Sequence, residues 1–216
     1  MDRSVAESWI LISGWLEERI PGALEHLQPP ASADSVAAVR AAMGCELPDD
    51  LLAWLRIADG FGQRGSFGYL LPYLFNPLPC ADMLREREMW RSVYADSERP
   101  EQTEPAGAWS TNWLDQFLPI GDAGTDISLY VDLRKGELFG SVGEFDSESG
   151  TDLTQWMSVA GMFADVADAL TLEQPALLDL ANRRRTSQPW STTAAWTPYL
   201  DEGRLRWNSL NLDDQT

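Results

Sequence analysis

Seven carboxylates crowd one short region of the second half of this chain: Asp122, Asp126, Asp132, Glu144, Asp146, Glu148 and Asp152. Such a density suits three chemistries: holding a divalent cation, acid–base catalysis, or contact with a cationic partner. The calcium reading fails on spacing. In Asp146-Ser147-Glu148-Ser149-Gly150-Thr151-Asp152 the glycine arrives one position early, and no glutamate closes the loop in bidentate fashion. A carboxylate pair for glycoside cleavage is conceivable, but nothing in the spacing selects it. Contact with a cationic partner is the use that remains, and Asp122, Asp126, Glu144, Asp146 and Glu148 are the candidate contact acids. The plain alternative is that they are solvated turn acids.

The other reactive types offer less. His26 is the single histidine. It excludes a two-histidine metal site and leaves any triad resting on one loop residue, so it reads as a solvated or loop-packed side chain. Cys45 and Cys80 form neither a disulfide framework nor a CxxC pair and read as small buried apolar groups. Gly60-Phe61-Gly62-Gln63-Arg64-Gly65 matches GxGxxG by letter. A dinucleotide fingerprint needs a strand before it and a helix after it. Here a helix comes first and extended chain follows, so the glycines read as a turn. Arg183-Arg184-Arg185 closes a helix, where cations offset the dipole, and is too small a block to hold nucleic acid. No catalytic residue, metal or cofactor is expected.

The elements that must position these residues are legible in part. Val5, Trp9, Ile12, Leu16 and Ile20 share one helix face, which Pro21 ends. Ser32 or Asp34 caps a second helix burying Val36, Val39 and Met43, with Gly44 at its C-terminus. Pro48 opens a third in its first turn, Asp49 and Asp50 follow, and Asp59-Gly60 closes it. Residues 65–75, rich in aromatics, read as a strand pair or extended lining. Residues 81–95 read as a helix with Met83, Arg87, Trp90 and Tyr94 on one side. Residues 96–108, acidic and proline-bearing, read as a mobile surface loop. The period then changes. Ile127, Leu129 and Val131 alternate with Ser128, Tyr130 and Asp132, as in a half-buried strand. Arg134-Lys135-Gly136 is the turn, and residues 137–145 return as a strand. Residues 153–170 read as an amphipathic helix carrying Trp156, Val159, Phe163, Val166 and Leu170. A short helix around residues 173–185, a polar stretch and a turn before a strand with Leu205 and Trp207 complete the chain.

Helices, then antiparallel strands, then a helix argue for an α+β domain: a mixed, largely antiparallel sheet with helices packed on one face. A chain of 216 residues holds one sizeable core. The expected division is a domain over residues 1–172 and a C-terminal extension over 173–216. Ten tryptophans supply anchors, and Trp54, Trp90, Trp113 and Trp156 are expected in the core.

Charge is the strongest global signal. Acidic residues number 34 and basic ones 16, giving a net charge of −18. That field repels nucleic acid and anionic membrane and attracts a basic protein. It also serves solubility, and that plainer reading stands beside the first. The acidic N-terminus lacks a charged-then-apolar leader, and no apolar run approaches the ~18 residues a bilayer span requires. A soluble, cytoplasmic protein is expected.

The order of landmarks resembles a family. Trp9 sits in a first helix. Gly44 precedes Leu47-Pro48, and Asp59-Gly60 ends the following helix. Trp113, Leu118-Pro119-Ile120, Gly124 with Asp126, and Asp132 before Gly136 come later. Over about residues 9–170 this pattern resembles the SUKH superfamily, in the branch similar to the fungal cell-wall assembly regulator. Arg40 departs from it, because the family commonly has an acid there, so no role of that acid transfers. The resemblance implies an α+β fold with a helix-flanked mixed sheet. It also implies a non-enzymatic protein: bacterial members bind and neutralise polymorphic toxins, and others act as interaction modules. An arginine-rich, lysine-poor composition fits a high-GC bacterial source. The expectation is an immunity-type protein that occludes a basic toxin domain, such as a nuclease, one to one. A general regulatory or scaffold module of the same fold is the alternative.

Overall fold

In a computed structural model, residues 3–62, 67–98, 100–187 and 194–211 are described. Helix α1 (Val5–Arg19) starts at a reciprocal cap: the Ser4 hydroxyl accepts from the Glu7 amide and the Glu7 carboxylate accepts from the Ser4 amide. Its buried face carries Val5, Trp9, Ile12 and Leu16, the expected stripe. Helix α2 (Ala33–Met43) is capped by Ser32 and closed by Gly44 at φ +66°, as its letters require. Only Val39 of its three apolar positions is fully buried; Val36 and Met43 sit at the margin. Pro48 stands one position before α3 (Asp49–Ile57), as its N-cap, rather than inside the first turn.

The third helix ends with more purpose than a turn demands. The Asp59 carboxylate accepts the Cys80 amide at 2.7 Å. Cys80 opens α4 (Cys80–Val93), whose N-cap is a proline with no side-chain acceptor. Asp59 therefore caps a helix that begins twenty-one residues later. Gly60 follows at φ +70°, and a Cβ there would lie 2.4 Å from the Leu78 carbonyl carbon. Only glycine fits such an approach. Asp50 likewise reaches out, accepting the Ala160 amide at 2.9 Å in the first turn of α5 (Val159–Leu172).

Strands β1 (Phe117–Asp122), β2 (Ile127–Asp132), β3 (Val142–Asp146) and β4 (Gly150–Thr151) form one sheet in sequential order. Every pairing in it is antiparallel, in keeping with the mixed, largely antiparallel sheet expected. Among the described residues the one parallel contact is the isolated bridge Gly68–Leu205. Leu118, Ile120, Leu129, Val131 and Val142 face the main core, with Trp9, Trp54, Trp156 and Phe163 from the helical side.

The opposite face is not open to water. Phe117, Tyr130 and Phe145 join Trp90 and Trp113 in a second apolar cluster. Trp90 stacks on Trp113 at 5.5 Å, and Trp113 meets Phe145 edge-on at 5.3 Å. All four tryptophans expected in the core are buried. Ser128, Tyr130 and Asp132 are therefore buried as well, where their polar letters suggested solvent. Each has a reason to be there. Ser128 accepts the Trp90 indole N–H at 2.8 Å. Tyr130 stacks on Phe117 at 4.0 Å. Asp132 pairs with Arg134 at 2.7 Å, both side chains at most 2% exposed.

That pair also organises the acidic loop. Arg134 donates to the carbonyls of Ala108 and Glu101, and Asp132 accepts the Gly107 amide. Residues 101–108 are thus pinned to the sheet rather than loose. The Asp132–Ser141 stretch is a closed loop, so β3 begins at Val142, five residues later than expected at residue 137. Helix α5 begins at Val159, not at residue 153. Val142 makes backbone bonds with both Gln155 and Trp156, which holds that segment extended, and the Ser158 hydroxyl caps the helix.

Helix α6 (Leu178–Ser187) confirms the short helix near the arginine block, though the Arg185 side chain lies outside the described residues. Strands β5 (Ala194–Asp201) and β6 (Arg204–Asn211) form a hairpin. It closes on Glu202 and Gly203, both at positive φ, as Asp-Glu-Gly suggested. The hairpin docks on the rest of the chain. Leu205 exchanges backbone bonds with Phe67 and Tyr69, Trp196 does so with Ala176, and the Trp207 indole donates to the Tyr69 carbonyl.

Candidate functional site

Strand β2 pairs with β1 on one side and β3 on the other, so two turns meet at one end of the sheet. Asp122 faces Ser128, and Ile127 faces Asp146. Asp122 and Asp126 flank the β1–β2 turn, while Asp146 and Glu148 belong to the β3–β4 turn. The turns touch where the Ser147 amide donates to the Asp126 carbonyl at 3.0 Å. Four of the five candidate acids are brought together. Glu144 lies farther along β3, opposite Leu129.

These acids do not all face water. Asp122 is buried, and its carboxylate accepts the Gly124 amide at 2.7 Å, shaping the turn. Asp146 is half-buried and accepts the amides of Glu148 and Ser149 at 2.7 and 3.2 Å. Asp126 and Glu148 are exposed. Tyr94, from the end of α4, donates to the Ser147 carbonyl at 3.3 Å. Burial pushes its hydroxyl upward, and the charges of Asp146 and Asp126 add to the shift.

Glu144 belongs to a neighbouring cleft of about 420 Å³, lined by Trp109, Glu144, Asp146, Gly150, Asp152 and Leu153. Burial lifts the Glu144 carboxyl above its ordinary 4.5. A bond from the Gln155 amide at 2.9 Å and the charge of Arg184 pull it back, while Asp152 and Asp146 push it up. Asp152 is paired with Arg184. Trp109 is 59% exposed at the rim. Sequence reasoning passed over this tryptophan. Its signal was the company it keeps, small residues in a loop (Ala106-Gly107-Ala108 before it, Ser110 after), where an aromatic has no core to enter.

The remaining chemistry-bearing residues are accounted for locally. Phe61 and Gly62 donate their amides to the Pro77 and His26 carbonyls, so neither N–H is available to a phosphate. Gln63, Arg64 and Gly65 lie outside the described residues. His26 stacks on Phe67 at 6.2 Å, the loop packing expected of it. Burial, joined by Asp59, pushes the Cys80 thiol up to about 12, far from a nucleophile's range. Among the described residues no group of three or more His, Cys, Asp or Glu could hold a metal ion. Among them also, no helix is long and apolar enough to cross a membrane.

The geometry thus defines an α+β protein with an acidic sheet end beside an open, tryptophan-rimmed cleft. A family model places it: residues 30–167 match the SMI1 / KNR4 family (SUKH-1), and the chain belongs to that family. Among curated proteins it is similar to a glucan synthesis regulatory protein of Neurospora crassa, 32% identical over 89 residues. That match covers 41% of this chain and 16% of the fungal protein, so the likeness concerns one part of a much longer molecule.

Proposed function

We propose that this chain is a non-catalytic, immunity-type member of its family, acting in the cytoplasm by one-to-one capture of a basic toxin domain. The observation that carries the reading is the sheet end itself. Asp126 and Glu148 stand exposed, half-buried Asp146 accepts the Glu148 amide, and Trp109 rims the adjoining cleft. Exposed acids steer a cationic partner, and an aromatic beside a cleft gives it a place to bury area. Glu144, in that cleft, is positioned for a guanidinium or ammonium of the partner. Nucleic acid and anionic membrane are poor partners for a chain of net charge −18. The test is co-expression with the C-terminal domain of any toxin gene that adjoins this one. Rescue of growth and a co-eluting complex on a sizing column are expected. Continued toxicity with no complex would sink the reading.

The fungal relative's regulatory role in glucan synthesis favours a second reading, a regulatory interaction module using the same surface. In that case immobilised wild-type chain retains host proteins from lysate that a Trp109→Ala, Glu148→Lys double variant does not, and the neighbouring gene gives no rescue phenotype.

A further inference from the structure

A concavity larger than the Trp109 cleft lies away from the acidic turns, between α5, α6 and residues 153–158, with a volume of about 1130 Å³. Its floor is apolar: Trp156, Leu177 and Leu180 are buried there. Its rims leave large apolar side chains in water, Met157 at 62% exposure and Leu178 at 40%. The groove is held open by construction. One carboxylate oxygen of Asp165 accepts both the Trp156 indole N–H at 2.8 Å and the Leu177 amide at 2.9 Å. This bond pair fixes the two walls relative to α5 at the cost of burying an acid.

Charge decides what fits. Asp168 on α5 and the exposed Asp179 on α6 line the groove. Asp165 also lines it, so three acids stand against one lining cation, Arg183, which donates to the Thr154 carbonyl at 2.6 Å; Arg3 meets Asp168 at 2.8 Å, which leaves Asp179 as the acid most open to a ligand. An apolar trough with acid on both walls is complementary to a chain segment presenting large apolar side chains among lysines or arginines. A phosphate-bearing ligand would meet those acids at close range.

We propose that this groove seats an amphipathic basic segment of a partner protein. Its apolar side chains pack against Met157, Leu178 and the Trp156 floor, and its cations meet Asp179. The groove shares only Leu153 with the Trp109 cleft. The inference therefore stands whether or not the toxin reading does.

The test uses the full chain and a fluorescein-labelled peptide of about a dozen residues, with leucines on one helical face and lysines elsewhere, followed by anisotropy. Two control peptides replace the lysines with glutamate or the leucines with serine. The Leu/Lys peptide binds saturably, and each control binds at least about tenfold more weakly, since both charge and apolar burial are required. Met157→Lys and Asp179→Lys each weaken the Leu/Lys peptide about tenfold by setting like charge against it. Leu172→Lys, at an exposed apolar position outside the groove, leaves affinity unchanged. All three positions are exposed, and near-UV circular dichroism verifies that the variants fold. Failure of the Leu/Lys peptide to bind overturns the proposal. So does equal binding of either control peptide, or undiminished binding by both groove variants.

Discussion

Single residues carry this fold at positions where their letters look ordinary. Asp59-Gly60 ends a helix by local rules, yet its value is non-local. Asp59 caps α4, and Gly60 lets the chain pass against Leu78 and Pro79. Asp59→Ala should cost about 1 kcal/mol in urea denaturation, the usual loss of an N-cap acceptor, while Asp59→Asn retains most of it. Gly60→Ala should cost more than the roughly 1–2 kcal/mol of a left-handed residue, because the new methyl has no space. Glu144 makes the opposite kind of statement. Burial raises its carboxyl above 4.5, so the folded state holds that proton more tightly than the unfolded chain. Ionising it therefore costs stability, and the cost appears as pH rises from the ordinary glutamate value through the raised one. Glu144→Gln should be more stable than wild type at neutral pH, and the difference should vanish below the ordinary value. Urea denaturation of both chains across that range measures it. A parallel pair of curves would show that the acid is not under strain in its cleft.

Elements were legible where their signals are local and obscure where they are not. The caps at Ser32 and Gly44, the stripe on α1 and the Glu202-Gly203 turn follow from neighbouring residues and appear as expected. Strand β2 was placed well, but its environment was not. Alternation of Ile127, Leu129 and Val131 with polar residues normally marks a sheet with one wet face. Here the polar partners come from distant chain, Trp90 for Ser128 and the Glu101–Ala108 loop for the Asp132–Arg134 pair. No spacing within β2 announces them. In the candidate site, clustering of the turn acids was readable from hairpin order, but which acids are spent on backbone amides was not. The second core gives a direct test. Asp132→Ala strands the Arg134 guanidinium at 2% exposure and removes the acceptor of Gly107. A loss of about 3–5 kcal/mol is expected in chemical denaturation, the cost of breaking a buried pair from one side. Replacing both members with apolar residues of similar volume should recover only part of it, because the Gly107 amide and the Ala108 and Glu101 carbonyls still lose their partners.

In the proposed toxin-binding role, the molecule as a whole divides its work between field and contact. A net charge of −18 acts at long range, and its share in association fades as the Debye length shrinks from about 30 Å in dilute salt to about 8 Å at physiological strength. Asp126 and Glu148, exposed in the turns, belong to that field. Trp109, 59% exposed, has area to bury and no charge to project, so in that role it would serve contact. If the proposed basic toxin domain docks on this end, the two kinds of residue must fail differently. Asp126→Asn with Glu148→Gln should slow association several-fold at low ionic strength, flatten its salt dependence and leave dissociation nearly unchanged. Trp109→Ala should leave association close to wild type and speed dissociation by about tenfold or more, because a central aromatic is worth roughly 2 kcal/mol or above. Surface plasmon resonance over a salt series separates the two rates. A double variant that changes only dissociation would move these acids from steering into the buried contact. A tryptophan variant with unaltered kinetics would remove the Trp109 cleft from the interface altogether.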